Sequence, residues 1–186
     1  MTIETQRLLL RPFRTGDAED VLEYLRDPAS DCFADMRLCS LEEARSDMEN
    51  RAEDGEYYLA IERKEDGKVI GEIFAFPESP LPDPDGVKDT YSPCWMLRPD
   101  CFGKGYAYEA AHAFVDYLFR EKGARRVYAQ TADFNTASRR LCEKLGMRLE
   151  GLFPEYVSFV KGADGEPVYE DTVQYAILRK EWMEKR

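Results

Sequence analysis

Two glycines one residue apart, Gly103 and Gly105, stand where an apolar run gives way to a helical pattern, within Arg98-Pro99-Asp100-Cys101-Phe102-Gly103-Lys104-Gly105-Tyr106-Ala107. Before them Cys94-Trp95-Met96-Leu97 reads as the end of a buried strand, and after them Ala110, Ala111, Phe114, Val115, Leu118 and Phe119 share one helical face. Glycines let a backbone approach a ligand and turn successive N–H groups toward it, and a helix N-terminus carries roughly half a positive elementary charge. Strand, glycine turn and helix in that order make an anion cradle fitted to a pyrophosphate, whereas the glycine pair by itself is equally an ordinary turn. The spacing of a Walker loop is missing. Tyr108 occupies the place of the third dinucleotide-binding glycine, and the chain does not open with a strand and glycine turn of Rossmann type. Nucleotide triphosphatases and nicotinamide or flavin enzymes are therefore disfavoured.

A second chemical stretch follows. Residues 135–147, Asn-Thr-Ala-Ser-Arg-Arg-Leu-Cys-Glu-Lys-Leu-Gly-Met, read as a short helix capped by Asn135 and stopped by Gly146. Residues 126–131 between the two stretches read as a strand. The order strand, glycine turn, helix, strand, Asn-headed helix resembles the GNAT superfamily of acyl-coenzyme A N-acyltransferases. That family's Gln/Arg-x-x-Gly-x-Gly/Ala motif is matched by Phe102-Gly103-Lys104-Gly105-Tyr106-Ala107, with Phe102 departing at the first position. The RimJ/RimL-like branch, which includes acetyltransferases of ribosomal-protein N-termini, is the nearer resemblance. It rests on Thr5-Gln6-Arg7-Leu8-Leu9-Leu10-Arg11-Pro12, on residues 103–110, on Asn135-x-x-Ser138 with Glu143-Lys144-Leu145-Gly146, and on Tyr175-Ala176-Ile177-Leu178-Arg179.

The resemblance implies a GNAT fold and acetyl-CoA as acyl donor. It implies that pantetheine lies against the backbone of Trp95, Met96 and Leu97, that residues 102–107 hold the pyrophosphate, and that Asn135 contacts the pantetheine arm. Ser138 matches a serine that approaches the coenzyme A sulfur, where its hydroxyl would stabilise a departing thiolate by hydrogen bonding. Many family members carry a tyrosine acid where this chain has Cys142, and a glutamate before the glycine turn where this chain has Tyr91-Ser92-Pro93-Cys94-Trp95. From the residues themselves, Glu72 and Glu155 are the candidate general bases, since carboxylates near apolar surroundings can titrate high and act through water. Arg98 and Lys104 beside the cradle, with Arg139 and Arg140 after Ser138, are cations able to meet phosphates. Tyr24, Phe33, Tyr156 and Tyr175 fall in regions that surround the acceptor in the family, although aromatic residues more often serve packing. His112 shares a polar helical face with Glu109 and Asp116 and reads as solvated.

The bulk properties set the frame. A chain of 186 residues, 44% hydrophobic and without repeats, is expected to form one domain over residues 1–186. Twenty-six basic against 37 acidic residues give a net charge of −11, which disfavours direct binding of nucleic acid and favours cationic partners. Neither a signal core nor a membrane-length apolar run opens the sequence, so a cytoplasmic location without membrane contact is expected. The five cysteines form no Cys-x-x-Cys pair and read as reduced thiols, and no metal site is expected.

The elements that must position these groups read as follows. Residues 8–13 form a first strand; Thr15-Gly16-Asp17 caps a helix to about residue 26; a helix over 41–52 starts behind Ser40. Residues 57–63 and 69–76 form a hairpin through 64–68, and residues 149–159 and 167–178 form another through 161–165. The prolines in 77–90 mark an exposed loop that shapes a pocket or a homodimer contact. Together these make an α/β fold with a mixed, mostly antiparallel central sheet and helices on both faces. The expected activity is transfer of an acetyl group from acetyl-CoA to a primary amine, a protein N-terminus or a small amine. An acyl-CoA sensor with little turnover and an antibiotic-modifying acetyltransferase are the alternatives.

Overall fold

In the computed structural model, which describes residues 1–79 and 86–184, the chain runs β1 (Ile3–Glu4), β2 (Leu8–Arg11), α1 (Ala18–Leu25), α2 (Leu41–Glu53), β3 (Tyr58–Arg63), β4 (Val69–Phe74), β5 (Pro77–Glu78), β6 (Thr90–Tyr91), β7 (Cys94–Leu97), α3 (Tyr106–Arg120), β8 (Arg126–Ala132), α4 (Thr136–Lys144), β9 (Arg148–Lys161), β10 (Pro167–Leu178) and α5 (Arg179–Glu184). Two compact units emerge: one of Met1–Ala75 with Cys94–Phe114, the other of Phe76–Pro93 with the chain from Val115 onward. In place of the single central sheet read from the sequence, the strands fall into two five-stranded sheets, β1-β2-β3-β4-β7 and β5-β6-β8-β10-β9. Among the described residues all pairings are antiparallel except β6 with β8. β7 is kept to four residues by Pro93 and Pro99 on either side, neither of which has an N–H for a ladder.

The first unit is built on α1 and α2 over the sheet. Ala18, Val21, Leu22 and Leu25 recur at helical spacing, are buried, and meet Ala44 and Met48 of α2 with Ala60, Val69 and Met96 of the strands. α2 begins as expected, the Ser40 hydroxyl accepting from the Glu43 N–H at 3.1 Å. α1 does not. Thr15–Asp17 is a 3₁₀ turn ahead of the helix, and the Asp17 carboxylate, instead of capping α1, accepts from the Arg14 N–H and from both terminal nitrogens of buried Arg11, each at 2.7 Å. Arg11 also reaches Glu62 at 2.6 Å, so a buried cation is satisfied from two sides. β2 ends at Arg11, two residues short of the expected strand, where Pro12 interrupts the ladder.

In the second unit β10 lies between β8 and β9. α4 has the expected ends: Asn135 Oδ1 accepts from the Ser138 N–H at 3.1 Å, and the Met147 N–H returns to the Cys142 carbonyl at 3.0 Å around Gly146 at φ 75°. Among the described residues β9 pairs only with β10, and three register shifts interrupt that pairing. Within the 77–90 loop read from the sequence, Pro80, Pro82 and Pro84 lie outside the described residues, whereas Pro77–Glu78 and Thr90–Tyr91 are short strands.

Candidate active site

The two-glycine turn lies entirely within the first unit. β7 leads through a 3₁₀ turn at Pro99–Cys101, anchored by buried Cys101, into Phe102 and the two glycines, after which α3 begins. Gly103 has φ 73° and Gly105 φ 82°, conformations that L side chains rarely adopt, and the space where a Gly103 Cβ would stand is open to 4 Å. The first helical bond of α3 runs from the Glu109 N–H to the Gly105 carbonyl at 3.1 Å, which leaves the N–H groups of Tyr106, Ala107 and Tyr108 without intrahelical acceptors. Phe102 and Lys104 are exposed. Arg98 instead pairs with Glu23 and, at 3.1 Å, with Asp100.

β7 is the outer strand of its sheet, and its phase is fixed by the Arg98 N–H, which donates to the Ile70 carbonyl at 2.8 Å. Counting back in twos, Met96 and Cys94 bond toward β4, so the backbone N–H and C=O groups of Trp95 and Leu97 face the outer edge. Opposite Leu97 the sequence requires glycine. A Cβ on Gly71 would stand 2.2 Å from the Met96 carbonyl oxygen and 2.9 Å from the Leu97 Cα.

The turn is braced from the N-terminal segment. Glu109 Oε1 accepts from the Thr5 hydroxyl and the Arg7 N–H, each at 2.7 Å, and Glu109 Oε2 accepts from Arg7 Nε at 2.6 Å. Arg7 Nη1 donates to the Lys104 carbonyl at 2.9 Å, and the guanidinium lies 4.5 Å from the centre of the Tyr106 ring. Burial raises the Glu109 pKa, but the bonds from Thr5 and Arg7 outweigh it and leave the group below the ordinary carboxylate value.

Glu72, on β4, is fully buried. Its carboxylate accepts from Tyr24 Oη at 2.9 Å, Tyr58 Oη at 2.6 Å and Arg51 Nη1 at 2.5 Å. Burial pushes both phenols up, and the carboxylate adds to the effect. Burial acts against the Arg51 charge, but Glu72 together with Tyr58, Asp47 and Tyr24 outweighs it and the guanidinium pKa is raised. Half-buried Tyr58 is the member of this cluster nearest to solvent.

In the second unit Ser138 is half-buried on the first turn of α4, and Arg139 is paired with Asp133 at 2.7 Å. Cys142 is buried, and burial pushes its thiol to about 12. It is a core group holding its proton. Glu155 is exposed at φ 48°, the positive-φ residue other than glycine among those described, and its N–H donates to Asp171 Oδ1 at 2.8 Å.

A family model described as an acetyltransferase (GNAT) domain matches residues 7–148. The chain belongs to the GNAT acetyltransferase family. This acetyltransferase is 33% identical over 183 residues to the Bacillus subtilis (strain 168) protein named uncharacterized N-acetyltransferase YnaD, covering 98% of this chain and 99% of that one. The crystal structure of a GNAT-family acetyltransferase from Bacillus anthracis superposes with a TM-score of 0.80 at 30% identity, covering 97% of this chain and 100% of that one. The fold is shared more distantly with a ribosomal-protein-S5-alanine acetyltransferase from Vibrio fischeri, with a TM-score of 0.72 at 16% identity and 98% of each chain covered.

Of the residues singled out in the acetyltransferase sequence, Trp95, Met96, Leu97, Arg98 and residues 102–107 belong to the first unit with Glu72, which lies opposite Met96 in the sheet. Asn135, Ser138 and Glu155 belong to the second. Tyr24 and Tyr175 are buried and bonded to Glu72 and Glu143, Phe33 packs on the first core, and Tyr156 is exposed. His112 is exposed, as its helical phase requires. Arg51 was not among the candidates. Its signal was present, since Ala44, Met48 and Arg51 fall on one helical face and place an arginine on an apolar stripe.

Proposed function

We propose that the protein transfers an acetyl group from acetyl-CoA to a primary amine by direct attack in a ternary complex, with a protein N-terminus or a small amine as acceptor. The observation that carries this reading is the Gly103–Gly105 turn at the head of α3, reached through the Pro99–Cys101 turn from a strand whose outer backbone groups belong to Trp95 and Leu97. The positive φ values and the open space at Gly103 fit a backbone approached by an anion. N–H groups of residues 103–108 and the Lys104 ammonium hold the pyrophosphate. The outward N–H and C=O groups of Trp95 and Leu97 take the pantetheine amides as a further strand would. Asn135 contacts the pantetheine arm.

Acetyl-CoA supplies an activated acyl group, so the protein need only position the amine, remove its proton and stabilise the charges that develop. Ser138 donates a hydrogen bond to the leaving sulfur. Glu72 and Glu155 are the carboxylates proposed to take the ammonium proton, Glu72 by way of the Tyr58 hydroxyl and Glu155 through water. Family membership and the RimJ/RimL-like motifs support a protein N-terminus, and a net charge of −11 suits a cationic acceptor. Residues 1–186 are read as one catalytic domain.

The test is acetyl-CoA binding by calorimetry, followed by thiol release against N-terminal peptides, polyamines and aminoglycosides. Amine-dependent release from a protein that binds acetyl-CoA supports the reading and names the acceptor class. Binding without release with any amine would favour an acyl-CoA sensor, and no binding would remove the donor assignment.

A further inference from the structure

We propose that Arg7 is a positioning residue that locks the orientation of the Lys104–Gly105 peptide, and so keeps the Gly105 N–H turned toward the bound anion. This rests on the acetyl-CoA reading above. A trans peptide is planar, with its C=O and N–H pointing in opposite directions. Whatever holds the Lys104 oxygen on one side therefore holds the Gly105 N–H on the other.

Left alone, this peptide is easily turned over. Its rotation changes ψ of Lys104 and φ of Gly105, and glycine populates positive and negative φ about equally well. The turned-over form would present the Lys104 carbonyl, an acceptor, to a ligand that is itself an acceptor. The Arg7 Nη1 bond to the Lys104 oxygen at 2.9 Å opposes this. It is a charge-assisted bond, and the guanidinium that makes it is fixed elsewhere. Arg7 Nε is held by Glu109 at 2.6 Å, the Arg7 backbone N–H by the same carboxylate at 2.7 Å, and the plane of the group rests against Tyr106 at 4.5 Å. Thr5 fixes Glu109 in turn at 2.7 Å. Arg7 Nη2 lies 3.3 Å from where a Gly105 Cβ would be, so the guanidinium also sits closely against the glycine it restrains.

The function is one of geometry more than charge, since Glu109 neutralises the guanidinium. Lysine at this position keeps the charge but has no planar fork to bridge Glu109 and the Lys104 oxygen together. The experiment compares the wild type, Arg7→Ala and Arg7→Lys, each checked by thermal unfolding, for binding of coenzyme A by calorimetry and of pantetheine by NMR titration. Pantetheine lacks the pyrophosphate and does not use the turn. In both variants coenzyme A should weaken about 10- to 100-fold, the loss of a hydrogen bond to a charged group, while pantetheine changes by less than about 2-fold. Equal weakening of both ligands, or of neither, overturns the lock. Full recovery of coenzyme A affinity in Arg7→Lys overturns it as well, because charge alone would then suffice. A wild type that binds coenzyme A no more tightly than pantetheine refutes the pyrophosphate cradle, and the lock with it.

Discussion

Exchanging Glu72 for Gln keeps the volume of a fully buried side chain and removes its charge. Arg51, which is only 6% exposed, then loses the charge that balances it, and a single amide oxygen replaces two carboxylate oxygens, one of which holds Arg51 and Tyr24 and the other Tyr58. Removing one member of a buried ion pair costs about 3–5 kcal/mol. Arg51 keeps Asp47 at 2.7 Å, and the amide oxygen still accepts from one tyrosine, so the net loss should be about 2–4 kcal/mol. For a chain of this size that corresponds to a Tm lower by roughly 5–15 °C. Urea unfolding followed by circular dichroism measures it directly. The double variant Glu72→Gln with Arg51→Met removes the stranded charge and should recover at least about 1 kcal/mol of the loss. A single variant within about 0.5 kcal/mol of the wild type would refute the account of Glu72 and Arg51 as a buried ion pair that stabilises the fold.

Two further outcomes are expected. Arg126 hydrogen-bonds Glu150 and holds its carboxyl down at about 2. The unfolded chain, with an ordinary carboxylate value, therefore binds the proton more readily, and the stabilisation is present above that value and drains away as pH falls toward about 2. The gap in urea midpoint between the wild type and Glu150→Gln should be open at neutral pH and close in strong acid; a gap independent of pH would contradict it. Brief alkylation with iodoacetamide should label exposed Cys32 and Cys39 and leave buried Cys101 and Cys142 intact until urea is added, as mass spectrometry would show. Rapid labelling of Cys142 in the folded protein would be inconsistent with its burial and its raised thiol value.

What could be read in the sequence was local. The Ser40 and Asn135 caps, the Gly146 stop, the two-glycine turn and the hairpin through residues 64–68 depend on neighbours within a few positions, and each formed as expected. What could not be read was long-range. Glu72 finds Tyr58, Arg51 and Tyr24 at separations of 14, 21 and 48 residues, and Arg7 finds Glu109 across 102. Nothing in a linear pattern specifies such partners, although a charge inside Val69-Ile70-Gly71-Glu72-Ile73 signals that one must exist. Asp17 shows the competition directly. Its cap-like setting is real, yet its carboxylate is shared between the Arg14 N–H and a buried arginine six residues earlier.

The irregularity of β9 has a consequence for how the protein behaves in a crowded solution. A fourteen-residue strand at the rim of a sheet, bearing exposed Leu149, Leu152, Tyr156 and Phe159, would ordinarily be a template on which a foreign strand could grow. Its three register shifts and the left-handed kink at Glu155 break the flat, evenly spaced row of donors and acceptors that such growth requires. The protein can therefore display a sticky, aromatic edge without inviting its neighbours to aggregate along it.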